Sequence, residues 1–232
     1  DNTILDPDED LDGDGFTNTQ EQANGTDPLV DDSALDSDSD GLTDIYEITV
    51  TFTDPFDNDS DSTATTPDEN DDGIQDGAAD FDNDGLTNIQ EQSLGTDPLD
   101  ADSDDDTLTD GFEVNSTKTN PLDTDSDSTA TTPDENDNSI LDPNEDLDND
   151  GLTNVEEQTA GTDPLDPDSD DDTLKDGFEI KESFTDPLDT DSDSTATTPD
   201  ENDNGILDPN EDFDNDGFTN LQEQTNGTDP LV

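Results

Sequence analysis

The sequence predicts an irregular repeat array, mostly coil with short helices, that is elongated and has no single hydrophobic core. Only 22% of the 232 residues are apolar and the net charge is −70, so the chain cannot bury enough apolar surface to offset its conformational entropy. The segment Ser-Thr-Ala-Thr-Thr-Pro-Asp-Glu-Asn also occurs three times, with its proline at Pro67, Pro133 and Pro199. Repeat units that contact only their neighbours need no common core.

The spacing of these prolines, 66 residues, divides the chain into repeat units. The predicted units are 1–67, 68–133, 134–199 and a partial unit, 200–232. The first unit is truncated at its start. It also holds a four-residue insertion, because Asp14 and Asp84 are 70 residues apart whereas Asp84 and Asp150 are 66 apart. Each unit is therefore expected to repeat the same set of sites.

The charge balance excludes several classes of partner. The chain has 73 acidic residues against three lysines and contains no arginine, histidine or cysteine. Such a polyanion is repelled by nucleic acid and by anionic membrane surfaces, and no apolar run approaches the length of a membrane span. Without cysteine, neither disulfides nor thiolate metal sites stabilise the fold. By composition alone, the alternative is that the chain is an acidic disordered tail. Without bound metal, the chain is also expected to behave as such a tail.

One twelve-residue pattern of oxygen-bearing side chains recurs in a fixed order. Its clearest copy runs from Asp80 to Glu91, with oxygen donors at positions 1, 3, 5, 9 and 12 and glycine at position 6. This is the ligand spacing of an EF-hand-type calcium loop, in which position 7 adds a backbone carbonyl and the glutamate at position 12 closes the site. The ligands predicted in the four copies of this first-type loop are Asp10, Asp12, Asp14, Phe16, Asn18, Glu21, Asp80, Asp82, Asp84, Leu86, Asn88, Glu91, Asp146, Asp148, Asp150, Leu152, Asn154, Glu157, Asp212, Asp214, Asp216, Phe218, Asn220 and Glu223.

A second loop type begins 22 residues after the start of the first in the units without the insertion. Two of its three copies replace the glycine at position 6 by Thr107 or Thr173. Because the turn at this position favours glycine, we expect these sites to be strained or differently shaped. The predicted ligands of the second-type loops are Asp36, Asp38, Asp40, Leu42, Asp44, Glu47, Asp102, Asp104, Asp106, Leu108, Asp110, Glu113, Asp168, Asp170, Asp172, Leu174, Asp176 and Glu179.

Two further loop types depart more from the ideal ligand set. The third-type loops carry threonine at position 9, and their predicted ligands are Asp57, Asp59, Asp61, Asp123, Asp125, Asp127, Asp189, Asp191 and Asp193. The fourth-type loops begin on the last residue of the third, and their predicted ligands are Asp68, Asn70, Asp72, Asp76, Asp134, Asn136, Asn138, Asp142, Glu145, Asp200, Asn202, Asn204, Asp208 and Glu211. The copy at 68–79 is defective because Ala79 occupies position 12. Loops that abut or share a residue such as Asp134 predict calcium ions that are close neighbours, bridged by common carboxylates.

The segments around the loops are not those of an ordinary EF-hand. The apolar residue sits at position 7 rather than 8, and the segment around Pro143 cannot form a long helix that enters a loop. After each first-type loop the chain has room for about two helical turns, with Asn88 as an N-cap and Gly95 as the C-terminal stop. A similar short helix is expected around Phe112 and Phe178. The apolar side chains are then expected to form small clusters, one per loop and helix.

These motifs resemble thrombospondin type 3 repeats in the cysteine-free form of bacterial surface proteins. The resemblance rests on runs of Asp-Xaa-Asp-Xaa-Asp-Gly-Leu-Thr-Asn/Asp that alternate with Gly-Thr-Asp-Pro-Leu, and it covers nearly the whole chain. It implies a calcium-wrapped, mostly irregular chain in which aspartates of successive loops bind ions in pairs. It also implies a secreted, structural or adhesive context. Thr107, Thr173, Ala79 and the Ser/Thr-rich third-type loops depart from the family pattern.

The residues favour a structural function over catalysis. With no histidine, no cysteine and no serine beside a base, no enzyme active site is predicted. Simple extracellular calcium modules bind with a Kd of roughly 10⁻⁴ to 10⁻³ M, and cytosolic calcium would leave such sites empty. We therefore expect several Ca²⁺ ions that rigidify a stalk or fibre segment at an extracellular or cell-surface location. The alternatives are a calcium-dependent adhesion or protein-binding module and an acidic calcium buffer.

Further expectations concern partners other than calcium. The chain opens inside a fourth-type loop and keeps Asn2, Asp6 and Glu9 at positions 5, 9 and 12. The donors at positions 1 and 3 must come from residues upstream or from another chain, or the site stays open to water. We therefore expect that the chain is one stretch of a continuous array or that copies of it join end to end in a fibre. The candidate glycan attachment points, in Asn-Xaa-Ser/Thr triplets, are Asn24, Asn58, Asn115 and Asn226.

Overall fold

Short helices joined by turns and coil make up the computed structural model of the chain. It describes residues 8–24, 27–60, 73–126, 140–192 and 206–232, and these residues contain no strand. They fall into two compact units, Asp1–Ser103 and Asp104–Val232. None of the helices in the described ranges has the length and apolar content needed to cross a membrane. The predicted class, an irregular repeat array with short helices, is confirmed.

Each first-type loop is followed by a seven-residue α-helix, and the four helices are Asn18–Asn24, Asn88–Leu94, Asn154–Ala160 and Asn220–Asn226. Thr87 caps the second of them. Its Oγ1 accepts a hydrogen bond from Gln90 N at 3.4 Å, while Gln90 Oε1 accepts one from Thr87 N at 2.9 Å. The predicted N-cap at Asn88 is wrong, because the reciprocal capping box places the hydroxyl one residue earlier. The predicted stop is confirmed, since the helix ends at Gly95 with a left-handed φ of 86°.

Each second-type loop runs into a different helix, a short α-helix that widens into a π-helical turn. The α-helical parts are Asp44–Tyr46, Asp110–Phe112 and Asp176–Phe178, and the π-helical parts are Glu47–Thr51, Glu113–Thr117 and Glu179–Ser183. At the end of the first π-helical part, Thr51 Oγ1 lies 2.7 Å from Thr53 Oγ1, and Thr53 Oγ1 donates to Glu47 Oε1 at 3.3 Å. The expected short helix is confirmed. The π-helical widening, which the sequence pattern did not indicate, allows these hydroxyls to contact the buried glutamate.

Short 3₁₀ helices precede the later first-type loops, at Asp76–Ala78, Asp142–Asn144 and Asp208–Asn210. Each is bonded to the loop that follows it. The amide of Asn88 donates from Nδ2 to the carbonyl oxygen of Asp76 at 2.7 Å, and the equivalent bonds in the next two repeats measure 2.8 and 2.9 Å. These three-residue helices agree with the prediction that no long helix enters a loop.

Polar and charged side chains, rather than apolar ones, occupy most of the interior. Within the described ranges, the seven buried apolar side chains are Phe16, Leu42, Leu86, Leu108, Leu152, Leu174 and Phe178. Six of these seven stand at position 7 of a loop, so six of the seven first- and second-type loops bury their own apolar residue. The prediction of small local clusters without a common core is confirmed. With so little apolar burial, the hydrophobic effect contributes little to the stability of this fold.

Candidate metal centre

The aspartates at positions 1, 3 and 5 of a loop converge. In the loops that begin at Asp10, Asp36 and Asp80, one carboxylate oxygen from each of the three aspartates lies within 4.8 Å of the other two. The structure therefore brings together side chains that the sequence pattern selected as ligands. Clusters of oxygen atoms of this kind suit hard cations such as Ca²⁺.

Backbone N–H groups hold these carboxylates in a tight turn. In the first loop, Gly13 N donates to Asp10 Oδ1 at 2.7 Å and Gly15 N donates to Asp10 Oδ2 at 3.2 Å. The N–H at position 7 donates to the aspartate at position 5 in all seven first- and second-type loops, at 2.6 to 2.8 Å. The side chain at position 7 is buried in six of these loops, whereas that of Phe218 is 49% exposed. Ligation by the carbonyl oxygens at position 7 stays a prediction.

Position 6 of the loop requires a left-handed backbone. Five glycines at this position have φ between 100° and 108°, and Thr107 and Thr173 adopt 95° and 92°. A β-branched residue is sterically unfavourable in this region. The strain expected at these two threonines is therefore present in the structure.

The glutamate at position 12 is buried beside the aspartates. Glu47, Glu113 and Glu179 are 0% exposed, and the Oε2 atom of each has no hydrogen-bond partner in the described part of the chain. Burial, reinforced by nearby aspartates, raises the pKa of Glu47 and of Glu113 to about 9 and that of Glu179 to about 10. A buried carboxylate of this kind is stable as an anion only when a cation neutralises it.

A carboxylate from a distant part of the chain joins the second-type loop at 36–47. Asp40, Glu47 and Asp76 are all buried, and one carboxylate oxygen of each lies within 4.8 Å of the others. Ser60 Oγ donates to Asp76 Oδ2 at 2.7 Å, and the equivalent serines of the next two repeats make the same bond at 2.8 Å. The sequence pattern assigns Asp76 to the defective loop at 68–79, whereas the structure places it at the second-type site.

The unit Asp104–Val232 repeats this arrangement. Burial raises the pKa of Glu179 first, and the charges of Asp172, Asp170 and Asp208 add to that effect. Asp208 Oδ1 is buried and has no hydrogen-bond partner among the described residues. The equivalent group in the preceding repeat is Glu113 with Asp106 and Asp142. The convergence of a second-type loop with a downstream 3₁₀ helix is therefore a property of the repeat.

A first-type loop also receives a carboxylate from the loop that follows it. Burial raises the pKa of Glu157 to about 8, and the charge of Asp176, from the next second-type loop, contributes together with the aspartates of its own loop. The N–H of Gly177 donates to Asp150 Oδ2 at 2.5 Å and holds the two segments together. Successive loops thus share their acidic groups.

Two groups of residues at these sites were missed by sequence reasoning. One is Asp32, in the four-residue insertion: its N–H donates to Asp14 Oδ2 at 3.3 Å, and its charge adds to burial and other aspartates in raising the pKa of Glu21. No repeat marks Asp32, so the sequence carried no signal for it. The other group is the serines Ser60, Ser126 and Ser192, whose 66-residue recurrence was a signal available in the sequence.

The remaining predicted ligands are described only in part. Those outside the described residues are Asp61, Asp68, Asn70, Asp72, Asp127, Asp134, Asn136, Asn138, Asp193, Asp200, Asn202 and Asn204. Of the third-type loops, the described ligand residues are Asp57, Asp59, Asp123, Asp125, Asp189 and Asp191. Asp59 Oδ2 accepts a hydrogen bond from Gly73 N at 3.0 Å. Ion binding by the third- and fourth-type loops stays a prediction.

The donor set fits Ca²⁺ better than Mg²⁺. The oxygen atoms come from several carboxylates and from the asparagine at position 9 of the first-type loops. In Asn88, Asn154 and Asn220 its Oδ1 is buried and has no hydrogen-bond partner among the described residues. Calcium accepts about six to eight oxygen ligands in flexible geometry, whereas Mg²⁺ takes one or two carboxylates and retains water. The ion would be held by the carboxylates at positions 1, 3, 5 and 12, together with one carboxylate from a neighbouring loop.

An open apolar hollow of about 640 Å³ lies beside the helix Asn154–Ala160. Its lining includes Val155, Ala160, Ile180 and Pro187. Concave apolar surfaces of this size are typical of ligand-binding sites, so the hollow bears on the alternative of a protein-binding module.

The chain also matches a known family. The sequence model of the bacterial TSP3 repeat matches residues 10–30, 80–101, 102–124, 146–167 and 212–232. These segments contain all four first-type loops and one second-type loop. No curated protein and no solved structure gives a significant match. The matched repeats are structural and calcium-binding, in agreement with the acidic clusters. The five matched segments are therefore bacterial thrombospondin type 3 repeats, the family that the motifs of the chain resemble.

Proposed function

We propose that this chain is a structural segment that becomes rigid when it binds calcium, and that it serves in an extracellular or cell-surface stalk or fibre. The observation that carries the proposal is the convergence of buried carboxylates from separate loops, as in Asp40, Glu47 and Asp76. Buried acidic groups in contact need a cation between them. A structure that buries them repeatedly is one in which ions take the place of a hydrophobic core.

The protein itself cannot supply the necessary positive charge. The chain has three lysines against 73 acidic residues, and the one salt bridge within the described ranges, between Lys181 and Glu156, is exposed. Bound Ca²⁺ would supply two positive charges per ion and a flexible coordination shell. Because the ligands of a site come from separate loops, binding and folding are expected to be one event.

The calcium affinity expected of such sites supports the proposed extracellular location. Simple extracellular modules with calcium ligands of this type bind with a Kd of roughly 10⁻⁴ to 10⁻³ M. Such sites fill at extracellular calcium and empty at cytosolic calcium. A stalk built from them gains stability as repeats are added, because each site is completed by a neighbouring segment. Copies joined end to end in a fibre extend the same principle.

The hollow at Val155 and Ile180 supports the second candidate, a calcium-dependent protein-binding module. An adhesion module would lose its partner when Val155→Asp fills the hollow with charge, while its calcium-dependent folding would persist. An acidic buffer, the remaining alternative, would bind calcium without a change in shape. Rigidification is thus the property that separates the proposed function from a buffer.

The direct test is small-angle X-ray scattering of the whole chain in chelator and through a calcium titration. We expect an expanded polyanion in chelator and a cooperative decrease in the radius of gyration as calcium approaches the millimolar range. Magnesium at the same ionic strength is the matched control and should leave the chain expanded, because these sites exceed the carboxylate number that Mg²⁺ favours. Identical scattering profiles in chelator and calcium would exclude the proposal.

A further inference from the structure

We infer that Lys175 and Lys181 are positioning residues that favour the closed form of the first-type loop 146–157 and so lower the calcium concentration at which this loop closes. The inference deepens the proposed calcium-dependent function and rests on it. It assigns to two of the three lysines of the chain the role of a cation-independent clamp at one site. Loops without such a clamp would have to be closed by the ion alone.

The first observation is the position of the two ammonium groups. Lys175 Nζ donates to the carbonyl oxygen of Asn149 at 2.7 Å, and Lys181 Nζ donates to that of Gly151 at 2.5 Å. Asn149 and Gly151 stand at positions 4 and 6 of the loop, which are not ligand positions in the calcium pattern. The lysines therefore fasten the loop to the following helix without using an oxygen that the ion needs.

The second observation is a local cost at Lys175. The equivalent residues in the other second-type loops, Thr43 and Thr109, accept hydrogen bonds from Tyr46 N and Phe112 N and cap the short helices there. Lys175 makes no capping bond. A lost cap of this kind destabilises a helix. A residue that breaks a local rule usually serves a contact elsewhere, and here that contact is the carbonyl of the preceding loop.

The third observation is that Lys181 and its partner change together. Lys181 Nζ lies 2.8 Å from Glu156 Oε2. Other first-type helices carry glutamine in place of Glu156, and the equivalents of Lys181 in other repeats are Thr49 and Asn115. Glu156 still accepts the capping bond from Thr153 N at 2.9 Å. The acidic residue therefore keeps its cap and gains an ion pair that is specific to this repeat.

Lys118, the third lysine, provides a control within the same chain. Its Nζ donates to the carbonyl oxygens of Val114 and Asn115, at 3.2 and 2.5 Å, in its own turn. It therefore carries the same charge as the other two lysines without joining one loop to another. A general effect of positive charge on a polyanion would be equal for all three lysines, whereas a clamp effect would be confined to Lys175 and Lys181.

The test is hydrogen exchange of the full chain, measured by mass spectrometry in chelator and through a calcium titration. The variants are Lys175→Gln, Lys181→Gln and their combination, with Lys118→Gln as the control. At the calcium concentration that half-closes this loop in the native chain, we expect the double variant to exchange two- to fivefold faster than the native chain within 146–157, about the effect of exposed ion pairs. The calcium midpoint of this loop should rise by a similar factor, while the loop 212–223 and the Lys118→Gln chain stay unchanged.

The outcomes separate this inference from the proposed function. An unchanged or lower calcium midpoint at 146–157 in the double variant would overturn the clamp, because the lysines would then be inert or would merely repel the ion. An equal shift in the Lys118→Gln control would also overturn it. If no loop of the native chain gains protection with calcium, it is the proposed function that fails. One molar salt, with a Debye length of about 3 Å, should reproduce part of the double-variant effect.

Discussion

The second-type loops at 36–47 and 168–179 present the same carboxylates on different backbones. Both bury a glutamate at position 12, and both receive an aspartate from a downstream 3₁₀ helix, Asp76 in one case and Asp208 in the other. Position 6 differs: Gly41 adopts φ of 104° without steric cost, whereas Thr173 adopts 92° with strain. Position 8 differs as well, since Thr43 caps its helix and Lys175 does not.

The difference shows which features of the repeat are indispensable. The acidic ligands are the same in both loops, while the glycine and the helix cap, each a favourable local choice, are lost in the second. Local costs of about 1 kcal/mol each are therefore tolerated where the carboxylates still converge. The comparison implies that ligand convergence, and not turn or helix propensity, dominates the stability of these loops.

The largest expected effect comes from removing the closing charge. Glu47→Gln and Glu179→Gln should each raise the calcium Kd of their own loop by at least about tenfold, since even outer-shell changes at metal sites cost that much. Glu182→Gln is the control, because Glu182 is an exposed neighbour of Glu179. Isothermal titration calorimetry would measure the calcium Kd, and local hydrogen exchange would show which loop is affected. If the substitution weakens calcium binding in one loop but not in the other, the position-12 glutamate does not have the same role at the two sites.

A smaller effect is expected from the carboxylate that comes from the downstream helix. Asp76→Asn and Asp208→Asn should raise the calcium midpoints of the loops 36–47 and 168–179 several-fold, because each variant keeps the size of the side chain and removes its charge. Asp100→Asn, at an exposed position, should leave both midpoints unchanged. Hydrogen exchange of each loop gives the readout. Loss of protection confined to residues 68–79 would show that Asp76 serves its own loop instead.

The smallest effects, with opposite signs, belong to position 6. Thr173→Gly should stabilise the calcium-bound chain by about 1 kcal/mol, because glycine adopts the left-handed turn without a clash. Gly41→Ala should destabilise it, since a Cβ there would clash with Ile89 Cδ1. Urea unfolding in saturating calcium measures both changes. Equal signs for the two variants would show that position 6 does not control the stability of these loops.

Sequence reasoning succeeded where a structural feature lies within one twelve-residue loop or the turn beside it. The convergence of Asp10, Asp12 and Asp14 and the stop at Gly95 both follow from local spacing and from the conformational preference of glycine. It failed by one residue at the cap of the helix that begins at Asn88, where Thr87 and the asparagine are both good capping residues. Only the hydrogen bonds to Gln90 distinguish them.

Contacts between loops were beyond the pattern. The spacing of Asp76 assigns it to the defective loop at 68–79. Nothing in that spacing shows that the folded chain places Asp76 beside Asp40 and Glu47. The π-helical turn after Glu47 was equally hidden. It lies beside a hydroxyl pair, Thr51 and Thr53, that contacts the buried glutamate. The hydroxyls at these positions recur every 66 residues, but the recurrence does not indicate a π-helical turn.

By itself the amino-acid sequence determined the repeat, its period, the acidic ligand set and the absence of a hydrophobic core, because these depend on composition and on spacings within a few helical turns. The tertiary structure alone decided which carboxylates meet, since Asp76 joins Asp40 and Glu47 through a path of the chain that no local propensity encodes. It also decided the roles of the lysines, because an ammonium group is identical in sequence whether it bonds to its own turn, as in Lys118, or to another loop, as in Lys175. The physical reason is that charged groups interact through space, and their partners are set by the fold that buries them.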